Sequence, residues 1–527
     1  MSGRALRTPP AGRTIFEVSR PGVVGVTFPA LEVDEVDPAS VVEERLLRRE
    51  EPALPEVAEG EVVRHYVRLS SLNHHVDRRL YPLGSCTMKY NPKVNEDAAR
   101  LPGFAALHPA QDPSTFPGAL ELLAELADML REITGMDAIT LQPAAGSQGE
   151  LTGLLMIRAW HESRGDARRR VLIPDSAHGT NPATVATAGY EVVTLRSNAR
   201  GQVDPEELAR HLGPDVAALM LTNPNTLGKF EREILRITAM CHEAGAQVYM
   251  DGANMNALLG IARPADMGYD VCHLNLHKTF STPHGGGGPG SGPVAVRRHL
   301  EPFLPRPVLA RDGEGRPFLD GDRPRSIGRV HGFFGNVGMH VRAWTYIRMH
   351  GAEGLRNVSE TAILNANYVR HGLQDVYDLP YGPACLHEVV FSADRQKARG
   401  VKALDVAKRL LDHGFHAPTT YFPLIVSEAL MIEPTETESL PELDAFVAAL
   451  RDIDREAAED PERVRTAPHT TPVRRIDEGR AGRELDVRWT PPGGAPGAGP
   501  RARGGASPPG ADGGGATGSG TAAAGSP

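Results

Sequence analysis

The sequence predicts an α/β protein with one large, mostly parallel sheet, a smaller C-terminal α+β domain and an N-terminal arm. Three observations support this fold class. Short apolar strands alternate with amphipathic helices from about residue 115, a shorter mixture of helix and strand begins near residue 376, and prolines interrupt the first 114 residues. Parallel sheets bind ligands beyond the carboxyl ends of their strands, so the residues that follow each strand carry the functional argument.

On this basis the chain divides into five segments: an extended arm at 1–114, a large α/β domain at 115–335, a connecting helical segment at 336–375, a small α+β domain at 376–490 and a tail at 491–527. The tail has 20 Gly or Pro residues and no aromatic residue. It therefore cannot bury a core and is expected to be disordered. Within the arm, one helical patch is expected at Val41–Glu50.

The periodicity of apolar residues predicts the elements in order. In the large domain we expect strands at Ile139–Gln142, Val171–Pro174, Val192–Leu195, Ala217–Thr222, Gln247–Met250 and Val271–Leu276. Helices are expected at Leu120–Thr134, Leu151–His161, Glu231–Ala244 and, in the connecting segment, Gly338–Gly372. In the small domain we expect a strand at Val389–Ser392 and helices at Ala403–His413 and Leu440–Ile453.

Composition excludes several classes of function. The net charge of −9 and the pI near 6.1 argue against a protein that binds nucleic acid through phosphate contacts. The four cysteines fit neither a zinc pattern nor a disulfide framework, which favours a reducing cytoplasm, and no metal is expected. No apolar run approaches the ~18 residues that a membrane span requires, so no membrane partner is expected.

The first predicted strand is followed by a run of small residues that opens a helix. Gly146, Ser147 and Gln148 in this run could bind an anion, because their backbone N–H groups can approach it closely and the helix dipole favours negative charge. The alternative is a tight strand–helix turn capped by Ser147. Taken alone, the run does not decide between the two.

Two further strand ends carry candidate ligand-binding side chains. His178 follows the second strand, where an imidazole can stack on a flat heteroaromatic ring, although a polar surface histidine is the simpler alternative. Asp251 follows the strand Gln247–Met250, with Asn254 three residues later. A carboxylate buried there needs a cationic partner such as a protonated pyridine nitrogen, whereas the alternative is a helix N-cap.

Lysine is scarce, which makes each lysine informative. The chain has only Lys89, Lys93, Lys229, Lys278, Lys397, Lys402 and Lys408. Of these, only Lys278, preceded by His277, directly follows a strand of the predicted sheet. An amine at this edge is suited to attack an aldehyde. The glycine-rich stretch His284–Gly290 then permits close backbone approach, although it is weak by itself.

Together, these residues form a chemically coherent set. An anion site, a stacking histidine, a buried aspartate and, 27 residues later, a lysine all stand at strand ends. Pyridoxal 5'-phosphate (PLP) needs an anion site for its phosphate, a stacking face for its ring, a carboxylate for its pyridine nitrogen and an amine for its aldehyde. The sequence therefore predicts a PLP enzyme.

Four motifs resemble a known family. They are Tyr81–Pro92 (YPLGSCTMKYNP), Ser176–Pro182 (SAHGTNP), Asn275–Phe280 (NLHKTF) and Ala467–Val473 (APHTTPV). With them the chain resembles PLP enzymes of fold type I, and in particular the family of subunit 2 of glycine dehydrogenase (decarboxylating), the P-protein of the glycine cleavage system. The resemblance extends from Ser19 to Trp489, which is nearly everything except the tail.

The resemblance implies an activity and a role for each candidate. The PLP-dependent transferase-like fold would hold the cofactor covalently on Lys278, with His178 on the ring, Asp251 at the pyridine nitrogen and Gly146–Gln148 at the phosphate. Asn254 and His277 would complete the cofactor site. The reaction would decarboxylate glycine and transfer the aminomethyl group to the lipoyl arm of the H-protein, with release of CO2. In this family the arm packs against the active site, which would bring Cys86 close to it.

The resemblance is incomplete at two places. Arg78-Arg79-Leu80 stands where the family usually has Thr-Gly-Phe, and Phe334 stands where Tyr is common. Neither departure affects the four core cofactor residues, but both put the contacts with a partner or the lipoyl arm in doubt. The chain is about half as long as one-chain family members, which implies a homologous subunit 1 and an α2β2 heterotetramer.

Other functions are compatible with parts of the pattern. Another fold type I PLP lyase or decarboxylase would use the same cofactor residues. A thiol hydrolase would pair Cys86 with His74 or His75. A catalytically silent subunit would bind PLP weakly or not at all. A metal site would require His273, His277 and His284 to converge, which is the least favoured alternative.

Overall fold

The computed structural model describes residues 12–49, 52, 54–284 and 290–485. The described residues of the N-terminal arm form five α-helices: α1 (Ile15–Val18), α2 (Pro38–Val41), α3 (Glu59–Leu72), α4 (Lys93–Ala99) and α5 (Pro102–Ala105). A regular helix was expected at Val41–Glu50, of which Glu50 lies outside the described residues. This expectation is wrong, because α2 ends at Val41 and the described residues that follow form only a short 3-10 turn at Glu44–Leu46. Its residues are almost all exposed, and so short a helix without packing is marginal in water.

The large domain begins with helix α6 and is built around a seven-stranded sheet. Its helices are α6 (Pro117–Thr134), α7 (Gly146–Ser163), α8 (Thr180–Thr187), α9 (Pro205–His211) and α10 (Ile234–Glu243). Its sheet strands are β1 (Ala138–Thr140), β2 (Arg170–Pro174), β3 (Glu191–Leu195), β4 (Val216–Thr222), β5 (Gln247–Gly252), β6 (Val271–Leu274) and β7 (Val294–Val296). A separate hairpin follows, formed by β8 (Val308–Arg311) and β9 (Pro317–Asp320).

The sheet has the strand order β1-β7-β6-β5-β4-β2-β3. The strands β3, β2, β4, β5 and β6 are parallel to one another, whereas β7 is antiparallel to both β1 and β6. The mostly parallel sheet predicted from the sequence is confirmed, although β7 was not predicted. At three residues and with full burial, β7 carries no alternation that would mark it as a strand.

The large-domain core lies on both faces of this sheet. Along β4, Leu219 and Leu221 belong to one apolar cluster, whereas Ala218 and Met220 belong to another. Successive side chains of a strand point to opposite faces, so the two clusters are the packing layers beneath the helices on either side. Both faces of β4 are therefore buried from solvent, which explains its continuous apolar sequence.

A long helical segment leads to the small domain. Helix α11 (Val337–Leu373) precedes the strands β10 (Val389–Ser392), β11 (Thr419–Thr420) and β12 (Ala429–Ile432), which form an antiparallel sheet of order β10-β12-β11. The remaining helices are α12 (Asp394–Lys397), α13 (Ala403–Asp412), α14 (Leu440–Glu459) and α15 (Pro461–Arg465). The smaller C-terminal unit predicted from the sequence is thus present.

The described residues 476–485 belong to a second unit, in which α16 (Glu478–Arg483) begins after an Asp477 cap. The tail predicted to be disordered, 491–527, lies outside the described residues, as do 285–289 of the glycine-rich stretch. Among the helices of the described residues, none is both long and apolar enough to cross a membrane.

Candidate active site

The carboxyl ends of the parallel strands open into a cavity of about 170 Å³. The pairing of Thr222 with Asp251, and of Asp251 with His273, aligns the ends of β4, β5 and β6 at this edge. The lining residues come from these strand ends, from the start of α7 and from the arm: Ser85, Ala145, Gly146, Ser147, Glu150, His178, Thr180, Thr222, Thr226, Asp251, Ala253, Asn254, Asn275 and Lys278.

Lys278 stands in the turn after β6, half-buried at the cavity wall. Its backbone N–H donates to the carbonyl of Asn275 at 3.0 Å, which closes the turn. Its ammonium nitrogen, Nζ, donates to the carbonyl of Ser85 at 2.7 Å. The arm thus supplies the polar partner that holds the lysine side chain in place.

Asp251 lies at the floor of the cavity and is almost completely buried. Its Oδ2 accepts from the Asn181 amide at 2.9 Å, and its Oδ1 accepts from the Ala253 N–H at 3.0 Å and lies 3.3 Å from Nε2 of His273. Burial acts to raise the pKa of Asp251, but His273 and the two hydrogen bonds hold it below its ordinary value. The site therefore keeps a buried carboxylate ionised.

His178 forms another wall of the cavity. Its Nδ1 lies 2.9 Å from Oγ1 of Thr180 and 3.2 Å from the backbone nitrogen of Thr180. Its ring meets Phe422 edge-to-face, with centroids 5.7 Å apart. Burial lowers the pKa of His178, so a neutral ring is favoured near neutral pH.

Helix α7 starts at the cavity with Gly146. A Cβ at this position would lie 2.6–2.7 Å from the amide atoms of Asn275, which no side chain tolerates without displacement. The preceding residue, Ala145, is extended and makes no side-chain cap, so the first turn presents its backbone N–H groups without a capping oxygen. Gly146 thus opens an 18-residue helix whose first backbone N–H groups could form a cradle for an anion.

The Tyr81–Pro92 segment of the arm runs between the two domains beside Lys278. On the small-domain side, Gly84 N–H donates to the Met431 carbonyl at 3.3 Å, and a Cβ at Gly84 would overlap Met431. The buried Lys89 donates to the carbonyl of Thr279 in the large domain at 2.6 Å and pairs with Glu436 of the small domain at 2.7 Å. The segment therefore links both domains at the cavity.

Two buried glutamates of the small domain hold the middle of this segment. Glu388 accepts from the Ser85 N–H at 2.8 Å, and Glu433 accepts from the N–H and the hydroxyl of Thr87 at 2.9 and 2.8 Å. Ser85 and Thr87 both have positive φ, of 61° and 49°. Such conformations cost ~1–3 kcal/mol each and persist only where the surroundings fix them. The two carboxyl groups supply that fixation.

Comparison with known proteins now identifies the family. The family profile of the glycine cleavage system P-protein matches residues 26–318, and that of the glycine dehydrogenase C-terminal domain matches 358–474. The chain is similar to "Probable glycine dehydrogenase (decarboxylating) subunit 2" of Chlorobium chlorochromatii, with 60% identity over 474 residues, 90% of this chain and 98% of that relative. The chain belongs to the glycine cleavage system P-protein family.

Solved structures agree in fold. An inhibitor-bound glycine decarboxylase (P-protein) of the glycine cleavage system superposes with a TM-score of 0.67 at 22% identity, covering 79% of this chain and 94% of that one. Oryza sativa TDC with PLP and tryptamine superposes with a TM-score of 0.60 at 15% identity, covering 80% and 92%. The PLP-dependent transferase fold predicted from the sequence is confirmed.

The residues around the cavity fit the cofactor of this P-protein fold. The glycine cradle at Gly146 suits a phosphate group, and the ionised Asp251 suits a protonated pyridine nitrogen. Three buried polar atoms of lining residues lack a hydrogen-bond partner among the described residues: Oε2 of Glu150, Oγ1 of Thr222 and Oδ1 of Asn275. Unpartnered polar groups are costly when buried, so a polar ligand is expected to satisfy them.

Most of the predicted cofactor residues converge here, but three have other partners. Gln148 bonds the Ala144 N–H and the Val330 carbonyl through its side chain and does not line the cavity. Nδ1 of His277 accepts from the Ser291 N–H at 3.3 Å, also outside the lining. Asn254 lines the cavity but donates to Glu433 at 2.7 Å. The direct cofactor contacts of these three residues stay predictions.

Sequence reasoning missed several residues of the site. Ser85 comes from the arm, where only the family resemblance pointed to the active site. Thr180 opens α8, Glu150 lies on the second turn of α7, and Asn275 stands just after β6. The first two turns of each helix after a strand were the available signal, since they lie near the same edge as the strand end.

The ligand set His273, His277 and His284 is not brought together among the described residues. His273 lies instead with Glu150 and Asp251, whereas His277 and His284 meet edge-to-face with ring centroids 5.3 Å apart. Burial lowers the pKa of His277 to about 3. His273 thus acts as a partner of Asp251, and its Nδ1 lies 3.0 Å from the Tyr249 hydroxyl.

Proposed function

We propose that this chain carries the PLP-dependent active site of glycine dehydrogenase (decarboxylating), acting as its subunit 2. It decarboxylates glycine, transfers the aminomethyl group to the lipoyl arm of the H-protein and releases CO2. The single observation that supports this most strongly is the convergence of Lys278, Asp251, His178 and the Gly146 cradle on one cavity in a P-protein fold.

Each residue of the cavity is assigned a different role toward the cofactor. PLP, when bound, supplies an electron sink that accepts the electron pair left when CO2 departs. Lys278 would hold the cofactor covalently, and Asp251, whose carboxyl group is ionised, would pair with a protonated pyridine nitrogen. His178 would cover one face of the ring. The first turn of α7 would bind the phosphate through backbone N–H groups.

The overall reaction consumes one proton for each glycine that is decarboxylated. The bond between the α-carbon and the carboxylate of glycine breaks, and its electron pair forms a carbon–sulfur bond to one sulfur of the lipoyl disulfide. The disulfide bond breaks, and the second sulfur leaves as a thiolate that takes up one proton. Glycine, lipoyl disulfide and one proton thus become CO2 and an aminomethyl thioether with a free thiol.

The partners follow from the family. The Chlorobium chlorochromatii relative is named "subunit 2", which implies a subunit 1 within the glycine cleavage system. We infer an α2β2 heterotetramer that engages a lipoylated H-protein. The four cysteines are free, which is consistent with a cytoplasmic location.

The thiol hydrolase alternative has little support. Burial raises the pKa of the Cys86 thiol, so the reactive thiolate is disfavoured. His74, one of its proposed bases, lies 2.9 Å from the Leu80 carbonyl through Nε2. Another fold type I decarboxylase is the remaining candidate, because it would use the same lysine, aspartate and histidine.

Isotope exchange tests the proposed function. The full chain, reconstituted with PLP, subunit 1 and lipoylated H-protein, is expected to exchange labelled bicarbonate into the carboxyl group of glycine. Omission of either protein is expected to abolish exchange. Exchange by this chain alone would contradict the two-subunit proposal, and exchange with another amino acid but not glycine would favour a different decarboxylase.

A further inference from the structure

A buried carboxylate of the cavity has no part in the roles assigned above. Glu150, on the second turn of α7, is only 3% exposed and lines the cavity. Its Oε1 accepts from the Thr180 hydroxyl at 2.7 Å, and its Oε2 has no hydrogen-bond partner among the described residues. Burial of a carboxylate costs free energy unless its charge is compensated by a partner or a hydrogen bond.

Thr180 connects Glu150 to His178. The hydroxyl has one hydrogen and two neighbouring acceptors, Oε1 of Glu150 at 2.7 Å and Nδ1 of His178 at 2.9 Å. A carboxylate is the stronger acceptor, so the hydrogen is donated to Glu150. The threonine oxygen then presents a lone pair to Nδ1, and this favours a proton on Nδ1.

The backbone of Thr180 favours the opposite tautomer. Its N–H lies 3.2 Å from the same Nδ1 and suits a ring nitrogen without a proton. The side-chain contact is shorter and is strengthened by the charge of Glu150, so it outweighs the backbone contact. The position of the ring proton therefore depends on the Thr180 hydroxyl and on the negative charge behind it.

Four charged or titratable groups face His178. Burial lowers its pKa, Asp251 and Glu150 act to raise it, and Lys278 and His273 act to lower it. The result is a ring that rests neutral but has carboxylates close by to stabilise its cation. This is the setting of a general base.

We propose that Glu150 and Thr180 are positioning residues that hold the proton of neutral His178 on Nδ1 and leave Nε2 free to take a proton from the ammonium group of incoming glycine. One N–H bond of glycine breaks and an Nε2–H bond forms, so the glycine amine gains the lone pair that it needs to act as a nucleophile. The imidazolium charge is balanced through Thr180 by Glu150. This inference rests on the proposed function only for the identity of the proton donor.

Nitrogen NMR of the full chain tests the tautomer without cofactor or substrate. In protein labelled with ¹⁵N-histidine, and assigned with His178→Asn, neutral His178 is expected to carry its proton on Nδ1. Thr180→Ser keeps the hydroxyl and is expected to preserve this tautomer. Thr180→Val removes it and is expected to move the proton to Nε2, because only the backbone N–H then faces Nδ1.

Titration of the same signals tests the charge. Glu150→Gln is expected to lower the pKa of His178, whereas Glu162→Gln, an equal charge change at an exposed site of α7, is expected to leave it unchanged. In the reconstituted enzyme, the acid limb of the kcat/KM profile is expected to move to lower pH in Glu150→Gln.

Three results would overturn the proposal: a proton on Nε2 in the wild-type chain, the same tautomer in Thr180→Val, or equal His178 titrations in Glu150→Gln and Glu162→Gln. The proposed function fails separately. A glycine exchange assay without activity, in a chain whose His178 behaves as expected, would reject glycine as substrate and leave the tautomer assignment intact.

Discussion

At the scale of single residues, the site shows how one low-polarity environment produces different charge states. Asp251 stays ionised because His273 and two hydrogen bonds outweigh its burial. Glu388 is equally buried, but a second carboxyl group, Glu433, is its neighbour; it accepts from the Ser85 N–H, and Nε2 of His387 lies 3.7 Å from its Oε1. Burial, reinforced by Glu433, raises the pKa of Glu388 well above its ordinary value.

This difference predicts a pH-dependent stability. Because the folded pKa of Glu388 is raised, its contribution is fully present below the unfolded pKa, near 4.5, and is lost as pH rises toward the folded pKa. Glu388→Gln mimics the protonated group and avoids this loss. The free energy of unfolding of Glu388→Gln is expected to rise relative to that of wild type, by up to about 1.4 kcal/mol for each pH unit above 4.5.

Urea denaturation at several pH values between 4.5 and 8 measures this gain. The matched control is Glu243→Gln, an exposed glutamate at the end of α10, for which the difference from wild type is expected to stay flat. A flat difference for Glu388→Gln as well would mean that Glu388 is ionised in the folded protein.

At the scale of elements, the sequence predicted the strands better than the turns after them. Parallel strands that are buried on both faces, such as β4, are continuous apolar runs and can be detected in the sequence. Their carboxyl ends then locate the edge of the sheet where ligands bind, without tertiary information. The short antiparallel β7 and the helix α3 were missed. The partners of Gln148 and His277 depend on residues more than ten positions away, Val330 and Ser291, which no local pattern contains.

The start of α7 carries a prediction of its own. Gly146→Ala places a Cβ against the Asn275 amide, so either the first turn or Asn275 must move and the anion cradle is distorted. PLP affinity is expected to fall at least tenfold, measured by titration of the cofactor absorbance. Gly118→Ala in α6 is the control, because a Cβ there meets no atom within 4 Å. Equal affinities for the two variants would exclude this cradle as the phosphate site.

At the scale of the whole molecule, the arm completes a site that the two domains alone leave open. In the Tyr81–Pro92 segment, the Ser85 carbonyl accepts a hydrogen bond from Lys278. Buried glutamates of the small domain hold the segment in place. Composition and periodicity gave this segment no role; only its resemblance to the P-protein family did. Its contacts are with residues some 190 and 350 positions later, so they become visible only in the folded chain.

The covalent attachment of PLP to Lys278 is the central claim, and borohydride reduction followed by peptide mapping tests it most directly. We expect the reduced full chain to retain a pyridoxyl label on the peptide that contains Lys278. Lys278→Arg is expected to lose the label, whereas Lys397→Arg, the same change at a surface lysine paired with Glu428, is expected to keep it. A label on any other lysine, or no label on PLP-saturated wild-type protein, would contradict the account.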